Sequence, residues 1–164
     1  MNSLEVIIGD NQEVVPVPHV WLTQLETGGL AAAHRVLAEY VVCDHAPLPE
    51  LGWVEIALVD DQESARVHQE FMNLPGETDV ITFHHGEIVI GIEVALRQAD
   101  ENSEPVLREL FRYLVHGLLH LAGHEDDTPE SRAVMEAAQE KLVAELWPMF
   151  EQVSGPPAAE VTED

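Results

Sequence analysis

The sequence predicts an α+β fold: a mixed sheet of about four strands with about five helices, one of them a buried helix carrying two histidines. Three observations predict it. Short runs rich in branched residues come early, with helical periodicity between and after them. At 164 residues and 46% hydrophobic content the chain can bury one substantial core and has little room for a second. From Leu114 to Ala122 the only polar side chains are His116 and His120, so that segment is a helix apolar almost all round and therefore buried.

The elements follow in order. Residues 4–8 (Leu-Glu-Val-Ile-Ile) form a strand that stops at the turn Gly9-Asp10-Asn11. Val14 to Pro18 is a proline-punctuated connector. From His19 to Val42 the pattern is helical, and Gly28-Gly29 predicts a break into a short helix and a longer one over Leu30–Val41. Pro47 and Pro49 make 45–52 a loop. Trp53–Val59 alternates as a strand, after which Asp60 or Asp61 caps a helix running to about Met72. Asp79–Phe83 and Glu87–Ile90 flank His84-His85-Gly86 as a hairpin. Ile92–Asp100 is helical, Pro105 opens the apolar helix ending near Gly123, and Thr128-Pro129 starts a last helix to about Trp147. Residues 1–150 read as one metal-dependent hydrolase domain, and 151–164, with four acids, two prolines and no base, as an acidic, disordered tail.

Charge and composition constrain the surroundings. The 31 acids against 7 bases give a net charge of −24, which repels phosphate backbones at long range and suits cations or basic protein segments. At cellular salt, screening over about 8–10 Å still leaves a local site free to bind RNA. No apolar stretch reaches the ~20 residues of a membrane span, and the N-terminus has neither a basic region nor a small-residue cleavage site. The single cysteine, Cys43, fits a reducing cytoplasm.

Tyr113-Leu-Val-His116-Gly-Leu-Leu-His120-Leu-Ala-Gly123-His124-Glu-Asp126 carries the chemistry. His116 and His120 stand at i, i+4 on one helix face, a spacing that brings two imidazole nitrogens onto one ion. Gly123 ends the helix and bends the chain back, so that residues 124–127 can reach the same ion. The pattern His-x3-His-x2-Gly-x2-Asp places Asp126 where metzincin-type hydrolases carry their third zinc ligand. A fourth position is left to water, as catalytic zinc requires. Gly117 stands where an HExxH peptidase has its glutamate base, which disfavours an ordinary metalloprotease.

The same residues resemble the signature of the YbeY family of bacterial rRNA maturation factors. The similarity extends through Thr78-Asp-Val-Ile-Thr-Phe83 and Gly86-Glu-Ile-Val-Ile90, and covers residues 53–146. It implies a zinc-dependent, single-strand-specific endoribonuclease of the cytoplasm, acting in 16S rRNA 3′-end maturation and ribosome quality control. Its partners would be single-stranded rRNA and the small ribosomal subunit or its proteins, with no DNA and no membrane. Carried over by residue, it implies one Zn2+ per chain held by His116, His120 and the residue at 126. Most members have histidine there and this chain has Asp126, while His124, where the family often has an aromatic residue, is the alternative ligand. Where the family has an asparagine and an arginine before its Thr-Asp pair, this chain has His68 and Met72. Met72 cannot clamp phosphate as an arginine fork does.

The general base is not named by the sequence, and Glu125 is only a neighbour of the site. Arg112, one turn before His116, either supplies a cation to the cleft or is an exposed surface arginine. His84 and His85 read as a solvated hairpin tip, with lining the cleft as the alternative, and Asp79 either orients a histidine or hydrogen-bonds backbone. Trp21, Trp53 and Trp147 are packing residues, and Glu130, Glu136, Glu140 and Glu145 a solvated face. Two further readings stand beside the nuclease: a ribosome-assembly binding factor with a structural or vestigial metal, and a zinc peptidase.

Overall fold

The computed structural model describes residues 3–150, so the tail expected over 151–164 lies outside the described residues. The strands are β1 (Glu5–Asp10), β2 (Trp53–Val59), β3 (Val80–Phe83) and β4 (Glu87–Gly91). The helices are α1 (His19–Glu39), α2 (Asp61–Met72), α3 (Ile92–Asn102), α4 (Val106–Leu121) and α5 (Pro129–Leu146), with 3-10 turns at Leu48–Glu50 and Trp147–Phe150. The sheet order is β1-β2-β4-β3. β1, β2 and β4 run parallel, and β3 pairs antiparallel to β4 across the hairpin. The mixed α+β architecture is the one the sequence predicts. Among the described residues no helix is long and apolar enough to cross a membrane.

Alternation along the strands sorts side chains onto two faces. Val6, Ile8, Val54, Ile56, Leu58, Ile88 and Ile90 point into the main core, which α1, α3, α4 and α5 cover. Ala57, Val59, Ile81 and Val89 face the other way, under Val67 of α2. At the centre of the helical layer lies α4, in contact with α1, α3, α5, β3 and β4. It can lie so close because Gly117 faces β4: a Cβ there would fall 2.7 Å from the Ile88 side chain.

The predicted break at Gly28-Gly29 does not occur, and α1 runs unbroken for 21 residues. Both glycines are buried contact points. A Cβ on Gly28 would sit 2.4 Å from the Phe150 ring, and one on Gly29 would sit 3.1 Å from Leu114 and Val6. Two internal glycines cost a helix about 1 kcal/mol each relative to alanine. The close approach of α1 to α4, β1 and Phe150 offsets that cost. Trp21 is buried, Trp147 stacks on Phe150 at 4.8 Å, and Trp53 lies half-exposed on the sheet.

Local signals set the other boundaries. The Asp60 carboxylate accepts from the Glu63 amide at 2.9 Å and starts α2. Thr128 and Ser131 form a reciprocal capping box that starts α5. At the end of α4 the Gly123 amide bonds the His120 carbonyl and the His124 amide the Leu119 carbonyl, a Schellman turn with Gly123 at φ +102. That turn delivers residues 124–126 back beside the helix they have just left.

Candidate metal centre

His116 and His120 sit one turn apart on one face of α4, their ring centroids 4.7 Å apart. Asp126, returned by the Gly123 turn, lies across from them. Its Oδ2 is 3.6 Å from the Nε2 of each histidine. One donor atom from each residue can be chosen so that all three lie within 4.8 Å of one another. Ligands of a tetrahedral zinc, at about 2.0–2.1 Å from the ion, stand roughly 3.3 Å apart, so two imidazoles and a carboxylate at this spacing fit such an ion.

Hydrogen bonds set which nitrogen of each ring faces the cluster. His120 Nδ1 lies 3.0 Å from the His124 carbonyl, which can only accept, so Nδ1 carries the proton and Nε2 keeps its lone pair. His116 Nδ1 lies 2.8 Å from Oε1 of Gln139 on α5. The amide of Gln139 is oriented in turn, because its Nε2 donates to Glu140 at 3.0 Å and a carboxylate only accepts. Glu140 is held by Arg112 through bonds of 2.8 and 3.2 Å. Burial alone would raise the Glu140 carboxyl, but the hydrogen bonds from Arg112 and Gln139 outweigh it and keep it below the usual range. Burial, with the neighbouring His116 ring, pushes His120 below its ordinary value and favours the neutral ligand form. Gln139, which no sequence motif marks, is thus the outer partner of His116.

The sequence candidates fall into place around this cluster. His124 is buried, and its Nε2 bonds the Tyr40 carbonyl at 2.8 Å, so that nitrogen is committed to the loop after α1. Arg112 is not the exposed arginine of the sequence reading. Its side chain is only 14% exposed and is paired with Glu104, Glu109 and Glu140, which leaves little positive charge for the cleft. Glu140 and Glu145 are correspondingly engaged, Glu145 with Arg35 and Lys141. The Asp79 carboxylate accepts from the Val80 amide at 2.7 Å, a backbone role. His84 and His85 part company: His84 lines the clefts beside His120 and Asp126, while His85 stacks on Phe83 over the other sheet face. Glu125 is exposed and outside the donor group.

Three clefts, of about 450, 400 and 230 Å3, meet at the cluster. His68 and Met72 of α2 line the largest of them, with His68 Nδ1 donating to the Gly76 carbonyl at 2.9 Å. Two buried hydroxyls without a hydrogen-bond partner, Thr82 and Tyr113, belong to residues in these walls. A roomier groove of about 680 Å3 lies between α2 and the opposite sheet face and contains none of the three cluster residues. The chemistry therefore belongs to the smaller clefts.

Residues 30–147 match the sequence model of the family described as Endoribonuclease YbeY. A protein named Endoribonuclease YbeY from Rhodopirellula baltica is 34% identical over 141 residues, covering 79% of this chain and 70% of its own. Its namesake from Thermobifida fusca is 30% identical over 138 residues, covering 73% and 88%. The solution structure of TM1509 from Thermotoga maritima superposes with a TM-score of 0.59 at 23% identity, over 90% of this chain and 92% of that one. That last likeness shows a common fold.

Proposed function

This chain belongs to the YbeY family, and from that premise we propose that it is a zinc-dependent endoribonuclease that cuts single-stranded RNA. One ion per chain would be held by His116, His120 and Asp126, with residues 1–150 as the hydrolase unit. The observation that carries the reading is the set of three donors with two outer partners: Nε2 of both histidines lies 3.6 Å from Asp126 Oδ2, with each Nδ1 tied back by Gln139 or the His124 carbonyl. The donors are two neutral imidazoles and one carboxylate, a mixture that suits zinc. Bound there, zinc supplies Lewis-acid chemistry at a phosphate oxygen and a more acidic water.

The chain's own residues do the rest. Gln139 and the His124 carbonyl hold the two rings in the ligating tautomer. Asp126 would offset one unit of the ion's charge. Gly117 is packed against Ile88, so the position that holds the general base in HExxH peptidases has no space here for a glutamate, and this speaks against the peptidase reading. The substrate we propose is rRNA of the small subunit, in 16S 3′-end maturation and ribosome quality control, in the cytoplasm.

The test is direct. Purified untagged protein should carry about one zinc per chain, as one three-ligand site requires, and should cleave single-stranded but not duplex RNA. His116→Ala should abolish both metal and cleavage. Metal-free protein, or cleavage that survives His116→Ala, would refute the proposal. A binding-factor reading is favoured by one observation, the neutralisation of Arg112 by three carboxylates. Sedimentation with ribosomal subunits without any cleavage would decide for it.

A further inference from the structure

The seven cationic side chains of this chain are Arg35, Arg66, Arg97, Arg108, Arg112, Arg132 and Lys141. Six of them are paired with carboxylates: Arg35 with Glu39 and Glu145, Arg66 with Glu63 and Glu70, Arg97 with Asp61 and Glu77, Arg108 and Arg112 with Glu104, and Lys141 with Glu145. Arg132 is the exception. Among the described residues it has no acidic partner, and even Glu136, one turn further along α5, lies beyond ion-pair distance. In a chain of net charge −24, an arginine with no acid within ion-pair distance among the described residues stands apart from the other six cations.

Its position adds to that. Arg132 lines the 230 Å3 cleft between α4 and α5 together with His116 and Asp126. The other cation of that cleft, Arg112, has its fork occupied by Glu104, Glu109 and Glu140. The acids of the wall are partly committed as well, Glu109 to Arg112 and Asp79 to the Val80 amide. Neither of the two neighbouring clefts is lined by a lysine or arginine. Arg132 is thus the one uncommitted guanidinium among the residues that line the clefts at the metal cluster.

We infer that Arg132 receives a phosphate of the RNA strand beside the His116–His120–Asp126 cluster, entering along the α4–α5 side. The inference rests on the nuclease reading. A planar guanidinium offers two parallel N–H donors to phosphate oxygens, and a free one needs no acid to be displaced first. Pro129 and the Thr128–Ser131 capping box fix the first turn of α5, so the base of the arm is preorganised. Met72, on the α2 side, offers no charge, which places the strand's anchoring on the α5 side of the cluster.

The experiment compares zinc-loaded wild type with Arg132→Ala, Arg132→Lys and Arg66→Ala. Arg66 is an exposed cation against the opposite sheet face, and its loss changes net charge equally. Binding of a labelled, 2′-O-methylated single strand is followed by anisotropy over a salt series, alongside KM and kcat for the cleavable strand and zinc content. Arg132→Ala should weaken binding about three- to tenfold, the scale of one solvent-exposed charge-assisted contact. It should raise KM more than it lowers kcat and flatten the log K against log salt slope by about 0.7. Zinc content should not change. Arg132→Lys should recover part of the loss, and Arg66→Ala should stay close to wild type. Equal effects of Arg132→Ala and Arg66→Ala, with wild type binding and cutting RNA, would overturn this inference alone. A wild type that neither binds nor cuts would overturn the nuclease reading, and this inference with it.

Discussion

Replacing Gln139 by leucine changes the volume little and removes both the acceptor of His116 and the donor to Glu140, which tests what the outer partner of His116 does. The lost contact is the 2.8 Å bond from His116 Nδ1 to Oε1. Without it the ring can rotate, or move its proton to Nε2, the nitrogen that must offer its lone pair to the ion. Loss of such outer partners commonly lowers metal affinity 10- to 100-fold, about 1.4–2.8 kcal/mol. The His116 side chain is 23% exposed, so water can replace the acceptor in part. That points to the lower end, about tenfold. Glu140 would lose the Gln139 donor but keep both bonds from Arg112, so α5 should stay docked. The assay is chelator competition for zinc, with the melting temperature of metal-free protein measured in parallel. Zinc affinity within twofold of wild type, at unchanged apo stability, would refute the claim that Gln139 sets the His116 tautomer.

Two further outcomes follow from particular contacts. Asp126→Ala should weaken zinc binding strongly and His124→Ala only slightly, because His124 Nε2 is spent on the Tyr40 carbonyl; Asp126→His should keep the ion, and the same chelator titration reads all three. Gly28→Ala should destabilise by about 1–3 kcal/mol in urea unfolding, since the new Cβ falls 2.4 Å from the Phe150 ring and something must shift; an unchanged midpoint would show that α1 does not need that close approach.

What the sequence determined by itself was what short-range physics controls. The i, i+4 spacing puts His116 and His120 on one face whatever surrounds them. Gly123 marks a left-handed turn, Asp60 and Thr128 are helix caps, and the branched runs are strands. These signals act within a few residues, so they can be read without knowing the fold. They were enough to bring Asp126 into reach of the histidines, because only five residues separate His120 from it.

Tertiary structure decided what depends on partners far along the chain. The glycine pair in α1 looks like a break locally, and only the arrival of Phe150, Leu114 and Val6 turns it into a packing surface. Gln139 meets His116 across 23 positions and Arg112 meets Glu140 across 28, with no motif to announce either. The pairing of six cations, which leaves Arg132 without an acid among the described residues, is likewise a property of the folded surface. A side chain's own chemistry is fixed by its type, but whether a charge is free or neutralised depends on which other charge the fold carries to it.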